Sequence, residues 1–84
     1  MKEIRVKVLY FAQAREAAGT GSELVTMPNP SSVKALVARS MANHKQLGRV
    51  TSSMQVAVNE ELAGVDRVLA DGDVVAFLPP VAGG

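Results

Sequence analysis

The sequence predicts an α+β fold in which a mixed sheet of four or five strands packs on one main helix. Segments with strand periodicity lie on both sides of a single long amphipathic segment, in the order β, β, α, β, β. One amphipathic helix has one apolar face to bury, and one sheet is sufficient to cover it. We therefore expect a single domain over residues 1–84, with a flexible C-terminal tail at residues 79–84.

The first two elements are expected to be a strand and a short helix. In EIRVKVLYF the apolar residues alternate with charged ones, and only Leu9 and Phe11 make the second face of the strand apolar near its end. AQAREAAG is rich in helix formers and ends at Gly19, a residue suited to the left-handed position after a helix. The following GTGS is expected to be a loop.

A second strand and the main helix come next. ELVTM is a short strand, which Pro28 and Pro30 terminate. In SSVKALVARSMAN either serine can cap the helix. Five residues with helical spacing form one mostly apolar stripe: Val33, Leu36, Val37, Ser40 and Met41. The polar segment HKQLGRVTSS is expected to be a connection.

The C-terminal part of the chain supplies the remaining strands. MQVAVN is read as the third strand, EELAG as a turn, VDRVLA as a short irregular or edge strand, and VVAFL as the last strand. The intervening DGD carries the Asp-Gly signal of a hairpin turn. Together these elements give a packing of the β-grasp type.

Charge and composition argue against several classes of function. Nine basic and eight acidic residues give a net charge of +1, and the basic residues are spread along the chain, so nucleic-acid binding has no electrostatic support. The absence of cysteine excludes disulfides and thiolate chemistry and suits a reducing compartment. The N-terminus lacks a signal-peptide pattern, and the longest apolar run is too short to span a membrane. We expect a cytoplasmic protein.

The interior of the sequence shows no catalytic constellation and no metal site. His44 is the only histidine, and a polar residue facing solvent is the ordinary expectation just after a helix. The GTG loop lacks the Lys and Ser/Thr of a phosphate loop, and DGD lacks further oxygen ligands at suitable spacing. Glu60 and Glu61 have no identifiable partner for acid/base chemistry.

The C-terminal PPVAGG is the one unusual segment. A disordered end is the simple alternative, because terminal residues commonly lack order. However, Pro79 and Pro80 fix φ and remove two backbone donors, which stiffens the exit from the last strand. Gly83 and Gly84 have no side chains, so the tail can enter a narrow channel with the Gly84 carboxylate at its tip. A carboxylate needs activation before it reacts, so we expect the tail to enter another enzyme's active site.

Three segments, LYFAQAREAAG, VAVNEEL and LADGDVVAFLPPVAGG, resemble the small subunits of molybdopterin synthase, within the ubiquitin-like sulfur-carrier proteins. The resemblance covers almost the entire chain and implies the β-grasp fold. It implies that an activating enzyme adenylates the terminal glycine with ATP and that a sulfur donor converts the adenylate to a thiocarboxylate. The tail would then enter a large subunit, where the sulfur attacks a cyclic pyranopterin monophosphate and builds the molybdopterin dithiolene.

The same resemblance assigns roles to residues of this chain. Gly84 would carry the sulfur as the covalent nucleophile, and Gly83 and the stalk would position it. The stalk consists of Pro79, Pro80, Val81 and Ala82. The pterin-binding groups would belong to the large subunit, in a heterotetramer of two small and two large subunits, and no cofactor is expected to bind stably to this chain.

The strand pattern makes Phe11 and Leu9, on the otherwise charged face of the first strand, candidates for an apolar docking surface. Leu62 in the turn and Leu78 at the base of the tail are further candidates. The resemblance supports Phe11, Leu62 and Leu78 as partner contacts, and Arg15 is a candidate for an additional charged contact. Each apolar residue could instead belong to the core, and Arg15 could lie on a solvated helical face. The chain departs from the family pattern at Ala82, where Ser or Thr is frequent, and at Leu78, where an aromatic residue is common.

Three alternative functions stay open from sequence alone. A sulfur carrier for thiazole or tRNA thiolation would have the same terminal chemistry, although FAxxRExxG and the Pro-Pro pair favour the molybdopterin branch. In a ubiquitin-like protein modifier, a lysine amine would capture the activated Gly84. In a plain β-grasp interaction module, removal of Gly83 and Gly84 would leave function untouched.

Overall fold

The structure is a computed structural model that describes residues 2–50 and 53–79. Its elements, in chain order, are β1 (Glu3–Tyr10), α1 (Ala12–Ala18), β2 (Ser22–Pro28), α2 (Val33–Asn43), a 3-10 helix (Lys45–Arg49), β3 (Gln55–Val58), β4 (Glu61–Leu62) and β5 (Val74–Leu78). The predicted order of the main elements is confirmed, and the two predicted helices begin and end within two residues of their expected positions.

The five strands form one mixed sheet in the order β2-β1-β5-β3-β4. β1 and β5 are parallel, and the other three pairings are antiparallel. The predicted α+β architecture is therefore confirmed, with five strands. Its central strand is β5, which lies between the N-terminal pair of strands and the β3–β4 pair.

The core lies between the sheet and the helices. Along β1 the even-numbered side chains are buried and the odd-numbered ones are exposed up to Lys7, as the alternation of charge predicts. On α2 the stripe residues Val33, Leu36 and Ser40 are buried, while Val37 and Met41 are half-buried. The helix therefore turns its predicted face toward the sheet.

The N-terminus of α2 is capped by Ser32, whose side chain accepts a hydrogen bond from the Ala35 N–H at 3.3 Å. A Ser32→Ala variant is expected to lose about 1 kcal/mol of unfolding free energy, because one amide of the first turn loses its partner. Chemical denaturation measures the change. Ser22→Ala is the matched control at an exposed serine, and an equal loss in both variants would contradict a specific capping role.

Two segments between α2 and β5 differ from the sequence prediction. Residues 44–53 are more than a connection, because they contain the 3-10 helix and its Leu47 is completely buried. The expected turn at residues 60–64 is wrong, since the turn is made by Asn59 and Glu60 at φ 51° and 71° and Glu61–Leu62 form β4. A two-residue strand leaves no detectable periodicity, which is why sequence reasoning missed it.

The segment before β5 also differs from expectation. Residues 65–70 form no strand, and the only pairing described there is a single bridge between Val68 and Ser32. DGD is a turn, with Gly72 at φ 88°, but it is not a hairpin because no strand precedes it. No helix in the described part of the chain is long and apolar enough to cross a membrane.

Candidate docking face and the base of the C-terminal tail

The base of the predicted tail lies at the end of the central strand. β5 ends at Leu78, and Pro79 is the last described residue and is exposed. Five residues of the predicted site lie outside the described part of the chain: Pro80, Val81, Ala82, Gly83 and Gly84. Their predicted roles therefore stay predictions. Because strands flank β5 on both sides, the base of the tail is held by hydrogen bonds to β1 and β3.

An apolar row crosses the face of the sheet opposite α2. Ala57 pairs with Leu62 on one side and with Ala76 on the other, and Ala76 pairs with Leu9. Directly paired residues project from the same face of a sheet. These four residues, called here the apolar row, therefore run across four strands from β4 to β1.

Two further apolar residues adjoin the row on the side of the tail. Leu78 follows Ala76 by two residues on β5, so it lies on the same face. Phe11 follows Leu9 by two residues, and its N–H donates to the Phe77 carbonyl at 3.3 Å, which holds it beside the end of β5. The apolar row, Phe11 and Leu78 together form what we call the docking face.

The centre of the docking face consists of small, poorly exposed side chains, and large exposed side chains lie at its edges. Leu62 is 64% exposed and Phe11 is 45% exposed, whereas Ala57 is buried and Ala76 is half-buried. Leu9 and Leu78 are half-buried. An exposed group of apolar side chains with a flat centre is the kind of surface that marks a protein interface. Sequence reasoning missed Ala57 and Ala76 because alanine carries little signal, and only the strand register reveals their position.

Arg15 extends this surface with a positive charge. It lies on α1, and its backbone N–H donates to the carbonyl of Phe11, the residue before the helix, at 3.4 Å. Arg15 is exposed, and a Cβ atom at Gly21 would lie 3.6 Å from its Nε atom, so the side chain crosses the loop after α1. The structure thus brings Phe11 and Arg15 together, and places Leu62 at the opposite edge of the docking face.

His44 does not face solvent as expected. It is half-buried, its Nε2 atom pairs with the Glu23 carboxylate, and its ring meets Tyr10 edge-on with the centroids 5.7 Å apart. Tyr10 also stacks on Phe77 at 5.4 Å, and its hydroxyl donates to Ser40 Oγ at 3.4 Å. This cluster joins β1, β2 and α2 on the helix side of the sheet, away from the docking face.

Burial raises the pKa of Tyr10 above its ordinary value of 10.0; the hydrogen bond to Ser40 opposes this effect and Glu23 adds to it. A proton bound more tightly in the folded state means that stability is intact below pH 10.0 and falls as the pH rises beyond it. Tyr10 is the only tyrosine, so tyrosinate absorbance follows it directly. We expect titration above 10.0 in the folded chain. Titration at the ordinary value would contradict the buried environment.

The two aspartates of DGD hold the turn before β5 through hydrogen bonds. Asp73 accepts hydrogen bonds from Asn59 Nδ2 at 2.9 Å and from the Ala70 N–H at 2.8 Å. Asp71 accepts one from the Arg5 N–H at 2.8 Å. Within residues 2–50 and 53–79, no group of three or more potential metal ligands is present. The turn before β5 is therefore held by hydrogen bonds to the two aspartate carboxylates.

A comparison of the sequence with protein-family models identifies a known family. A model described as the ThiS family matches residues 8–84, which include both the docking face and the C-terminal diglycine. The chain belongs to the ThiS family.

Relatives of this ThiS-family chain share its full length. The molybdopterin synthase sulfur carrier subunit of Mycobacterium tuberculosis is 43% identical over 82 residues, which cover 96% of this chain and 99% of the relative. A putative molybdopterin converting factor, subunit 1, from Pyrococcus furiosus matches with a TM-score of 0.87 at 31% identity, over 93% of this chain and 99% of the other. The predicted resemblance and the predicted β-grasp fold are confirmed.

A third match shows such a fold in an assembly. The solved complex of subunits 1 and 2 of the molybdopterin-converting factor from Helicobacter pylori contains a chain that matches with a TM-score of 0.72 at 26% identity. The match covers 96% of the ThiS-family chain described here and all of the Helicobacter chain. In that protein, a chain with this fold is part of a two-subunit complex.

Proposed function

We propose that this chain is the sulfur-carrier small subunit of a molybdopterin synthase and that Gly84 is the atom-transferring residue. The observation that carries the proposal is the continuity between the docking face and the base of the tail. A partner that covers Phe11 and Leu78 contacts the point where the tail leaves the sheet, and its active site can receive the residues that follow. The names of the full-length relatives support the molybdopterin branch.

The chemistry follows from the carboxylate at Gly84. An activating enzyme joins it to AMP and releases pyrophosphate from ATP, which gives the carboxylate a good leaving group. A sulfur donor then displaces AMP and leaves a thiocarboxylate. In the large subunit the thiocarboxylate sulfur bonds to a side-chain carbon of the cyclic pyranopterin as an oxygen substituent of that carbon leaves. Water then cleaves the acyl–sulfur bond, so Gly84 returns as a carboxylate. Two such deliveries supply both sulfurs of the dithiolene.

Each half of the proposed enzyme supplies a different part of the site. The described residues of this chain form no acid/base pair on the docking face, and the histidine is engaged with Glu23 on the other side of the sheet. We therefore assign the pterin pocket and the proton transfers to the large subunit. The chain described here is the sulfurtransferase subunit, needs no bound cofactor of its own, and uses ATP only through the activating enzyme. The cytoplasmic location stays a prediction.

The test uses full-length chain with a chemically prepared Gly84 thiocarboxylate, a molybdopterin synthase large subunit and the cyclic pyranopterin. Dithiolene formation and the intact mass of the chain are followed together. We expect each sulfur gained by the pterin to match one chain returned to the carboxylate form. A thiocarboxylate that survives beside a large subunit active with its own partner would overturn the proposal, and would favour a carrier for thiazole or tRNA thiolation or a protein modifier.

A further inference from the structure

Among the strands in residues 2–50 and 53–79, β2 is at one edge of the sheet and has β1 as its single neighbour. Its hydrogen-bonding direction can be read from the bonds at its ends. Tyr10 N donates to Gly21 O, and Asn29 N donates to Lys2 O. The backbone N–H and C=O groups of the even-numbered residues of β1 therefore point toward β2. In the antiparallel register these residues pair with Glu23, Val25 and Met27. The remaining residues of β2 direct their backbone groups outward: Ser22, Leu24, Thr26 and Pro28.

Such an outward row of N–H and C=O groups is a template on which another strand can pair. A second copy of this chain offers the same row. Antiparallel pairing of two β2 strands is self-complementary, because a two-fold axis places the same strand on both sides. At seven residues, β2 is long enough for a stable contact between strands. An unprotected β2 would therefore favour self-association.

Side chains satisfy the outward groups at both ends of the strand. The Thr20 hydroxyl donates to the Ser22 carbonyl at 3.0 Å and accepts from the Ser22 N–H at 3.4 Å. At the other end Pro28 has no N–H, and its carbonyl accepts a hydrogen bond from the Ser31 hydroxyl. Neither end of β2 offers a free donor and acceptor pair to an incoming strand.

Arg39 occupies the middle of the edge. Its Nη1 atom donates to the Thr26 carbonyl at 3.1 Å, so the side chain reaches from α2 across the outer side of β2. The neighbouring helix positions beside β2 are small: Ala35, Ala38 and Ala42 line a groove with Met27 and Pro28. Because alanines cannot cover a strand edge, the Arg39 side chain is the group from α2 that blocks it.

We propose that Arg39, Thr20 and Ser31 block the β2 edge against pairing with a second copy of this chain, and so keep the free chain monomeric. This inference is independent of the proposed function. The edge stays open around Leu24: no hydrogen bond within the described residues engages the outward N–H and C=O of Leu24 or the outward N–H of Thr26, and the Leu24 side chain is 69% exposed. Pairing between copies would begin there once the neighbouring groups were released.

The test compares the full-length chain with Arg39→Met and with Arg39→Met/Thr20→Val, which keep side-chain size and remove the donors. Sedimentation velocity is measured from micromolar to millimolar concentration, with circular dichroism as the check of folding. The double variant loses three hydrogen bonds to the edge, one from Arg39 to Thr26 and two between Thr20 and Ser22, and the freed backbone groups become available to a partner strand. It is therefore expected to dimerise at least about tenfold more tightly than the wild type. Arg49→Met, at an exposed arginine remote from β2, is the matched control and should stay monomeric.

Adding Leu24→Lys to the double variant locates the contact. A lysine in the middle of an edge strand opposes strand pairing, so we expect the triple variant to return to a monomer. The single variant supplies a second readout, because amide exchange at Leu24 and Thr26 should slow as its concentration rises. A folded double variant that stays monomeric at millimolar concentration would overturn the proposal, and so would a dimer that persists after Leu24→Lys.

Discussion

A chain that ends at Ala82 is expected to lose sulfur transfer completely while keeping its thermal stability. The α-carboxylate would then be carried by a residue with a Cβ atom, two positions closer to the sheet. A channel built for glycine excludes that side chain, and two residues shorten the reach of the tail by about 7 Å. Dithiolene formation in the reconstituted synthase and the melting temperature of the isolated chain measure the two effects.

Ala82→Ser is the matched control for this truncation. It replaces one small residue with another and leaves the diglycine in place, so full activity is expected. Undiminished dithiolene formation with the truncated chain would show that neither glycine carries the sulfur. That result would favour the reading of this fold as a plain interaction module.

Leu62→Asp is expected to weaken binding to the large subunit by about thirtyfold, which corresponds to about 2 kcal/mol for a large apolar side chain that becomes buried in an interface. Leu62 ends the apolar row and is 64% exposed, so the variant places a charge against a desolvated partner surface without disturbing the core. Isothermal titration of the two purified subunits measures the affinity.

Val68→Asp is the matched control for this variant. Val68 is 62% exposed, similar to Leu62, but it lies in the segment bridged to Ser32 at the start of α2 and outside the docking face. We expect its affinity to be unchanged. Equal losses for both variants would indicate a general effect of added negative charge and would contradict a specific docking face.

The elements that were predicted correctly from the sequence have a clear hydrophobic periodicity or end at a residue that terminates a helix or strand. β1 is predicted because charged and apolar residues alternate through Lys7, and α1 ends at Gly19, which has the left-handed φ of 76°. The α2 stripe is predicted because its spacing matches the helical repeat. The C-terminal function is suggested by the side-chain-free tail of PPVAGG together with the resemblance of three segments to the small subunits of molybdopterin synthase.

The parts that sequence reasoning missed depend on contacts between distant residues. Leu47 is buried by tertiary packing within a segment that reads as a polar connection. His44 is half-buried because Glu23, 21 residues earlier, meets it. The centre of the docking face consists of Ala57 and Ala76, which become neighbours only through the pairing of β3 with β5. The local sequence pattern does not reveal which distant residues meet, so these contacts can be predicted only when the register of the strands is known.

The central position of β5 also determines how the molecule bears a load. A partner that draws the tail into a channel pulls along the axis of β5, which is paired with β1 at Lys7–Tyr10 and with β3 at Gln55–Val58. Such a pull strains both rows of hydrogen bonds in shear, all at the same time, whereas a strand peeled sideways breaks its bonds one after another. A pull on β5 is therefore shared by both neighbouring strands, and we expect this strand to resist it better than an outer strand of the sheet would.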